Sequence, residues 1–378
     1  MRTLLTINAG SSSIKFALFE AGAAPRRLDK GSIERIGLAD GPDPQAALDQ
    51  LLQWIQGRAG GSGSGSGGLT AVAHRIVHGG PRYSAPVRLT PAVVTELKAL
   101  SPFDPEHLPE ELRLAQALAE RYPDLPQVAC FDTAFHHDMP RVAQLLALPR
   151  RYQAQGLRRY GFHGLSYAYL MQELEREAGT PAAQGRVVLA HLGNGASLAA
   201  VRAGRSVDTS MGFTPVAGIP MSTRSGDLDP GIVWYLARTE GLDAKRFNQL
   251  VNAESGLLGL SETSPDMRDL LAREATDPRA HDAVELFCYQ VRKWIGAFAA
   301  ALGGLDTLVF AGGIGEHAAP VRARVCEGLD FLGLAVDASR NAAHARLISA
   351  DVSRVAVRVI PTDEEQMMAQ LVVGVLGA

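Results

Sequence analysis

Three short turns of small residues follow apolar segments of this sequence and have the composition of phosphate-binding loops. They lie at 8–13, 191–195 and 312–316. Glycine lets a backbone approach an anion closely, and exposed N–H groups and serine hydroxyls donate hydrogen bonds to phosphate oxygens. Tight turns need glycine in any case, so one turn is weak evidence, but three favour a nucleotide phosphate site. Lys15 follows Ser13 at alternating strand spacing and either reaches the same side or is an ordinary exposed lysine.

Three arginines stand among few other charges. Arg75 lies inside an apolar strand, where a guanidinium needs a carboxylate partner or an anionic ligand. Arg224 lies in a loop, and Arg268 lies in an Asp-Met-Arg-Asp segment. The guanidinium fork suits bidentate recognition of carboxylate or phosphate. A structural ion pair is the equal alternative for each of them.

Several acidic and imidazole side chains could join this chemistry. Asp132 ends the apolar segment 128–131, a common position for a catalytic carboxylate as well as for a turn cap. His163 lies in Tyr-Gly-Phe-His-Gly, and it either approaches a ligand closely or packs as a core histidine. A metal at 136–138 is disfavoured because neighbouring residues on an extended segment point apart. The carboxylates at 363–365 favour a helix start and could equally hold Mg²⁺.

Absent motifs and the overall charge narrow the function classes. No glycine is followed by lysine, which excludes a P-loop, and no Gly-x-Gly-x-x-Gly follows a strand. The 378 residues carry 37 Lys and Arg against 40 Asp and Glu, which argues against a nucleic-acid binder. With 46% hydrophobic residues and no apolar run of about 18, the composition is that of a globular protein without a membrane span.

The cysteine pattern and the N-terminal sequence indicate the cellular compartment of the protein. Cys130, Cys288 and Cys326 are an odd number without a Cys-x-x-Cys pair, which argues against a disulfide scaffold or a zinc ribbon. The apolar part of the N-terminus is too short for a signal peptide and has no small-residue cleavage site. We therefore expect a cytoplasmic protein.

The elements that position these residues alternate between strands and helices. Strands are predicted at 4–8, 14–20, 31–36, 69–77, 128–131, 186–191, 197–202, 205–209 and 308–310. Helices are predicted at 45–56, 91–100, 109–121, 166–177, 282–302 and 364–376. This alternation indicates an α/β architecture with mixed sheets. The Gly/Ser tract 60–68 is predicted to be a flexible surface loop within a domain.

One arrangement occurs twice. A strand, a small-residue turn and a second strand at 4–20 return at 186–202, and a further strand can follow each pair. This is a repeat of organisation without a fixed sequence period. It predicts two domains, each led by a β-hairpin.

Taken together, these motifs resemble the acetate kinase family, the acetate and propionate kinases of the actin-like and sugar-kinase superfamily. The resemblance runs from Asn8 to Glu365. It rests on ordered matches at 8–15, 74–80, 131–136, 160–164, 191–195, 223–227, 266–268 and 313–316.

The resemblance implies two actin-like, ribonuclease H-like domains with an intervening active-site cleft. It implies an acid-binding domain of residues 1–136 plus 366–378 and a nucleotide-binding domain of residues 137–365. The implied activity is reversible, Mg²⁺- or Mn²⁺-dependent phosphoryl transfer from ATP to acetate or a similar short carboxylate, giving an acyl phosphate and ADP. It also implies a homodimer.

Roles follow from the same resemblance. The implied catalytic residues are Asp132, Arg75, Arg224 and His163. The implied acid-binding residues are Arg75, Val77, Phe103, Phe162 and Pro215. The implied metal-site residues are Asn8 and Glu364. The implied ATP-site residues are Ser11, Ser13, Lys15, His191, Leu192, Gly193, Asn194, Gly195, Asp266, Met267, Arg268, Gly313, Ile314, Gly315, Glu316 and His317.

The chain departs from the family pattern at a few positions, and two other functions stay open. Pro102-Phe103-Asp104-Pro105 stands where relatives have Leu-His-Asn-Pro, and a Phe at 103 reshapes the implied acyl pocket. His317 and Asp363 each replace an Asn, and Leu165 replaces a Thr. One alternative is a kinase for a longer or branched acid. The other is a non-catalytic, actin-like or chaperone-like ATP-binding module, which would need no group of two arginines and an aspartate.

Overall fold

The computed structural model of the chain describes residues 2–10, 13–37, 41–59 and 68–377. Ser11 and all but the last residue of the Gly/Ser tract 60–68 lie outside these ranges. The chain forms two compact units. The first unit is Met1–Phe135 with Gly164–Tyr169 and Asp363–Ala378, and the second is His136–His163 with Leu170–Thr362.

A mixed sheet forms the centre of the first unit. Its strands are β1 (Thr3–Ala9), β2 (Ile14–Glu20), β3 (Arg26–Ile33), β4 (Leu69–Ile76), β5 (Val87–Arg88) and β6 (Gln127–Phe131). Their order is β3-β2-β1-β4-β6-β5. β1 pairs antiparallel with β2 and parallel with β4, and β4 pairs parallel with β6.

A second mixed sheet forms the centre of the second unit. Its strands are β7 (Arg186–Leu192), β8 (Ala196–Arg202), β9 (Arg205–Thr209), β10 (Thr307–Ala311) and β11 (Ala356–Val359). Read from one edge, the order β9-β8-β7-β10-β11 repeats the order β3-β2-β1-β4-β6 of the first sheet. The orientations repeat as well, since β7 is antiparallel to β8 and parallel to β10. The predicted repeat of organisation is confirmed.

The helices lie between and after these strands. They are α1 (Pro44–Ala59), α2 (Pro91–Lys98), α3 (Leu108–Arg121), α4 (Arg141–Gln144), α5 (Arg150–Ala154), α6 (Gly164–Ala178), α7 (Thr180–Gln184), α8 (Gly231–Thr239), α9 (Ala244–Ala253), α10 (Gly256–Ser261), α11 (Met267–Arg273), α12 (Pro278–Leu302), α13 (Gly312–His317), α14 (Ala319–Cys326), α15 (Ala338–Ala342) and α16 (Glu364–Leu376). Within the described ranges, no helix combines the length and the apolar composition needed to cross a bilayer.

Alternating side chains give the first sheet two apolar faces. On one face, Leu5 and Phe16 pack with α1 and α3 in one core cluster. On the other face, Leu4 and Phe19 pack with Met368 of α16 in a second cluster. Successive residues of a strand point to opposite faces, so both faces of β1 and β2 are apolar. The central strands are therefore sandwiched, and their ends are fixed in place.

Several predicted elements have other bounds in the structure, and two of them differ in kind or position. The third strand is Arg26–Ile33 instead of 31–36, because its first residues are charged and form an exposed edge. Such an edge strand lacks the apolar run that marks a buried strand. The predicted turn at 312–316 is part of α13, a short helix that begins directly after β10.

Candidate active site

Arg75 and Asp132 form a largely buried ion pair where β4 and β6 end. Arg75 Nε and Nη2 donate to Asp132 Oδ2 at 3.1 and 2.6 Å. The Asp132 side chain is 0% exposed, and its Oδ1 has no hydrogen-bond partner among the described residues. Burial disfavours the charged guanidinium, but the neighbouring carboxylates, Asp132 first, raise the pKa of Arg75 above its ordinary value. The arginine therefore stays charged although it is largely buried.

Glu111 is a third member of this group that sequence reasoning missed. Its Oε1 accepts from Arg75 Nη1 at 3.1 Å, and its Oε2 accepts from the Val77 backbone N–H at 2.8 Å. Burial raises the pKa of Glu111 to about 8, against the influence of Arg75 and that N–H group. A signal for it exists in the sequence, because Glu111 interrupts the apolar stripe of α3 between Leu108 and Leu112.

Asn8 and Glu364 meet at one end of the first sheet. Asn8 Nδ2 donates to Glu364 Oε2 at 2.7 Å, which joins the end of β1 to the start of α16. Lys15 lies opposite Asn8 in the antiparallel register of β1 and β2. Burial raises the pKa of Glu364, and the negative charge of Asp132 adds to this shift. Within the described ranges, no group of three or more His, Cys, Asp and Glu side chains has the arrangement of a metal site.

The residues predicted to line the acid pocket divide between the two units. In the first unit, Val77 is buried, and the Phe103 ring lies edge-on to another aromatic ring, His78, at 5.4 Å. In the second unit, buried Phe162 accepts a hydrogen bond from a histidine at its carbonyl, and Pro215 accepts one from Arg224 at 3.3 Å. A joint role of these four residues stays a prediction.

His163 and Arg224 lie at the glycine turn between β7 and β8. A Cβ placed on Gly195 would be 3.1 Å from His163 Nε2 and 3.7 Å from Arg224 Nη1. His163 Nδ1 is hydrogen-bonded to Ser197 Oγ at 2.8 Å, and its ring stacks on His191 at 4.3 Å. His163 has φ 59°, a left-handed conformation that is uncommon outside glycine and often found at functional sites. The turn thus has an imidazole and a guanidinium directed at its glycine.

Two of the glycine-rich segments lie together in the second unit. β7 and β10 are parallel neighbours, so the segments that follow them leave the same end of the sheet. A Cβ on Gly312, at φ 76°, would be only 2.7 Å from the Leu192 carbonyl oxygen, so this close approach requires glycine. Glu316 Oε1 accepts from the backbone N–H groups of Gly312 and Thr362 at 2.9 and 3.1 Å. These bonds fix the start of α13 against the turn 191–195.

The remaining predicted ATP-site residues are placed differently. The hydrogen bonds that the structure describes for the Arg268 side chain all go to Asp266, and this side chain is 89% exposed. Asp266 also caps α11, and Met267 is buried beneath it. His317 is exposed at the end of α13. Ser11 lies outside the described residues, and their roles at a nucleotide site stay predictions.

Comparison with protein-family models places residues 38–370 in the acetokinase family. The chain belongs to this family. An acetate kinase of Rhodopseudomonas palustris (strain ATCC BAA-98 / CGA009) is 46% identical over 97% of this chain and 96% of its own length. A propionate kinase of Citrobacter rodentium (strain ICC168) is 43% identical over 97% of this chain and 95% of its own length.

Solved structures agree in fold. The crystal structure of Porphyromonas gingivalis acetate kinase superposes with a TM-score of 0.88 at 36% identity, covering 100% of both chains. A propionate kinase from Francisella tularensis gives a TM-score of 0.89 at 33% identity, covering 98% of this chain and 99% of its own. The two-sheet architecture of this chain is therefore that of solved acetate and propionate kinases.

Proposed function

We propose that the chain is an acetate kinase, which transfers the γ-phosphoryl group of ATP reversibly to acetate or a similar short carboxylate. The observation that carries the proposal is the buried Arg75–Asp132 pair, which holds a charged guanidinium at the strand ends, where an anion can bind it. A nucleotide-binding module would not need to bury a charged pair at the ends of two strands. Family membership and the names of the relatives support the same activity.

The reaction is a direct, in-line displacement. A carboxylate oxygen of the acid attacks the γ-phosphorus, the new O–P bond forms, and the bond from phosphorus to the β–γ bridging oxygen breaks. The electron pair of that bond leaves with ADP. The acid is already ionised at neutral pH, so no general base is required, and the obstacle is the repulsion between two anions.

Positively charged side chains would relieve that repulsion. We assign Arg75 to the acid and the migrating phosphoryl group, Arg224 to the same charge, and His163 to the transition state. Asp132 holds Arg75 in place. Donors fixed before the reaction stabilise developing charge without reorganising, which is why such groups contribute strongly to rate. We propose the first unit as the acid-binding side and the second as the nucleotide-binding side.

The nucleotide would lie along the glycine-rich segments of the second unit. Backbone N–H groups at 191–195 and 312–316 are suited to phosphate oxygens, because glycines leave the backbone open to close approach. We further propose that Ser13 and Lys15 reach the phosphates and that 266–268 contacts the nucleoside.

Asn8 and Glu364 would hold Mg²⁺, or Mn²⁺. These ions prefer oxygen ligands and bind through one or two carboxylates together with phosphates and water. The residues fit, because the pKa of Glu364 is raised by burial and by Asp132, and a nearby cation would relieve that cluster of negative charge. When bound, the ion would neutralise charge on the phosphates.

A hydroxamate assay tests the activity. The purified protein is incubated with ATP, Mg²⁺ and formate, acetate, propionate or butyrate, and acyl phosphate is trapped with hydroxylamine. We expect product with acetate or a close homologue, and we expect Asp132→Asn, purified in parallel, to exclude a contaminating host kinase by its loss of product. A preference for butyrate would favour the longer-acid kinase. Absence of ATP-dependent product with every acid would favour the binding module.

We propose that the protein is a homodimer formed through α8. Of the nine described residues of this helix, none is buried, and Trp234 and Tyr235 are 64% and 60% exposed. Leu228, Leu260 and Leu286 are also exposed and line a cavity of about 450 Å³ beside the helix. Exposed apolar side chains in this number favour protein–protein contact. A second copy of the chain is the proposed occupant.

We propose a cytoplasmic location. Three cysteines, Cys130, Cys288 and Cys326, are buried and not disulfide-bonded, as is usual for proteins of a reducing compartment.

A further inference from the structure

We propose that Glu111 is a positioning residue that fixes Arg75 and Val77 relative to one another and thereby sets the affinity for the carboxylate substrate. The inference rests on the proposed function. Glu111 comes from α3, outside every motif that the sequence singled out, and its side chain is 2% exposed. Its two carboxylate oxygens have different partners, the Arg75 guanidinium and the Val77 backbone N–H.

The donors of Arg75 show what Glu111 does. A guanidinium has five N–H groups. Nε and one Nη2 hydrogen are directed at Asp132, and the two Nη1 donations go to Glu111 and to the Ala9 carbonyl oxygen at 3.1 and 3.2 Å. Within the described residues, this leaves one Nη2 hydrogen for a ligand. Glu111 and Ala9 therefore prevent rotation of the guanidinium and determine where that last donor points.

The second oxygen of Glu111 extends this control to the acid pocket. It holds the backbone of Val77, the residue predicted to contact the aliphatic part of the acid. One carboxylate thus links the group that binds the charge of the acid to a group that contacts its carbon chain. A displacement of Glu111 would change both at once, and the acid would be affected more than the nucleotide.

The surroundings of Glu111 argue against a purely structural role. It lies on the buried stripe of α3 with Leu108 and Leu112, where an apolar side chain would pack without the penalty of burying a charge. Asp104 and Asp132 further disfavour its ionised form. Buried ion pairs are often no more stable than apolar replacements of the same volume. The carboxyl group is therefore explained by the positions of Arg75 and Val77 that it fixes, and not by a contribution to fold stability.

The test compares Glu111→Gln with Glu110→Gln, a matched control one residue away whose side chain is 57% exposed. The amide of Glu111→Gln has one oxygen for two donors, so either Arg75 or Val77 loses its partner. Loss of one such bond to a charged group predicts a KM for acetate raised by about 10-fold or more, with the KM for ATP changed by less than about 2-fold. The control is expected to leave both constants at the wild-type values. Steady-state hydroxamate assays at saturating co-substrate measure these constants.

Several outcomes would overturn the proposal. A folded Glu111→Gln protein with a wild-type KM for acetate would refute it, and so would equal increases in both KM values accompanied by a lower melting temperature. If Glu111→Gln does not fold, Glu111→Asp carries the test, because it keeps the carboxyl group but is one methylene too short to reach both partners. It should also raise the KM for acetate. A wild-type protein that makes no acyl phosphate from any acid would refute the proposed function, and this proposal with it.

Discussion

Arg75 shows how a single side chain can be both structural and chemical. It is only 14% exposed, lies between two carboxylates, and keeps one donor for a ligand within the described part of the chain. A lysine at this position would keep the charge but lose the planar fork that lets one side chain contact Asp132, Glu111 and the Ala9 carbonyl oxygen together. The geometry of the group, and not its charge alone, is what the proposed reaction uses.

We therefore expect Arg75→Lys to lower kcat/KM for acetate. The corresponding loss of transition-state stabilisation should be about 2 to 4 kcal/mol, the range typical for removal of a preorganised donor. Steady-state hydroxamate kinetics measure the change. Arg113→Lys is the matched control, because Arg113 is an exposed residue of α3 paired with Glu110. A kcat/KM for acetate of Arg75→Lys within 3-fold of that of the control would contradict the proposed role.

His74, the neighbour of Arg75 on β4, makes the free energy of unfolding depend on pH. Its ring is 2% exposed, and its Nε2 donates to Gln127 Oε1 at 2.5 Å. Burial lowers the pKa of His74 to about 4, although the hydrogen bond with Gln127 partly opposes the shift. The unfolded chain, with a pKa near 6.5, binds a proton first. The stability that depends on neutral His74 is thus complete above pH 6.5 and is lost as the pH falls towards 4.

We expect the free energy of unfolding of the wild type to fall by about 3 kcal/mol more than that of His74→Gln between pH 6.5 and pH 4. Other titrating groups are common to both proteins, so the difference isolates His74. Urea unfolding at several pH values in this window measures it. Parallel curves for the two proteins would show that His74 does not titrate as its burial predicts.

At the scale of elements, α6 is fixed by a contact that only glycine allows. Gly164 begins the helix and donates its N–H to the Asp132 carbonyl oxygen at 2.8 Å. A Cβ on Gly164 would lie 2.2 Å from that oxygen, so any side chain must displace the helix or the strand end that carries Asp132. By contrast, Gly296 lies inside α12 with nothing within 4 Å of its Cβ position.

We expect opposite effects from the same substitution at these two glycines. Gly164→Ala should lower the free energy of unfolding by roughly 1 to 3 kcal/mol and reduce activity, because overpacking forces the backbone to move. Gly296→Ala should raise the free energy of unfolding by roughly 0.4 to 1 kcal/mol, since alanine restricts the unfolded chain and favours a helix. Thermal unfolding of both variants measures the difference, and a stabilised Gly164→Ala protein would disprove the contact.

Elements with an apolar periodicity could be predicted, and those without it could not. The last helix was predicted at 364–376 and β9 at 205–209, and both have these bounds. In contrast, the sequence does not predict α8, because its apolar residues at 232–237 are consecutive and show no helical period. The same holds for the site residues. Arg75 and Asp132 could be predicted, because each is a charged residue inside or directly after an apolar strand. Glu111 was missed, because its partner comes from another element and sequence does not show which side chains meet.

At the scale of the whole molecule, the exposed face of α8 predicts self-association. A dimer would have twice the chain mass of 40.2 kDa. We expect Trp234→Asp to shift the protein to the monomer, because a buried, unpaired carboxylate opposes an apolar interface. Light scattering coupled to size-exclusion chromatography measures the mass. Phe331→Asp is the control, since Phe331 is 69% exposed and lies far along the chain from α8. A dimeric Trp234→Asp protein would rule out this surface.

The position of α16 in the chain has a consequence for protein synthesis. This helix covers one apolar face of the first sheet, where Met368 packs against strands made more than 230 residues earlier. The strands of that sheet emerge from the ribosome before the helix that covers them, so this face stays exposed to water until α16 has been made. Uncovered apolar surface on a nascent chain is prone to aggregate and is a substrate for chaperones. A chain that stopped directly before residue 364 would contain every strand of the sheet and yet lack the helix that covers this face.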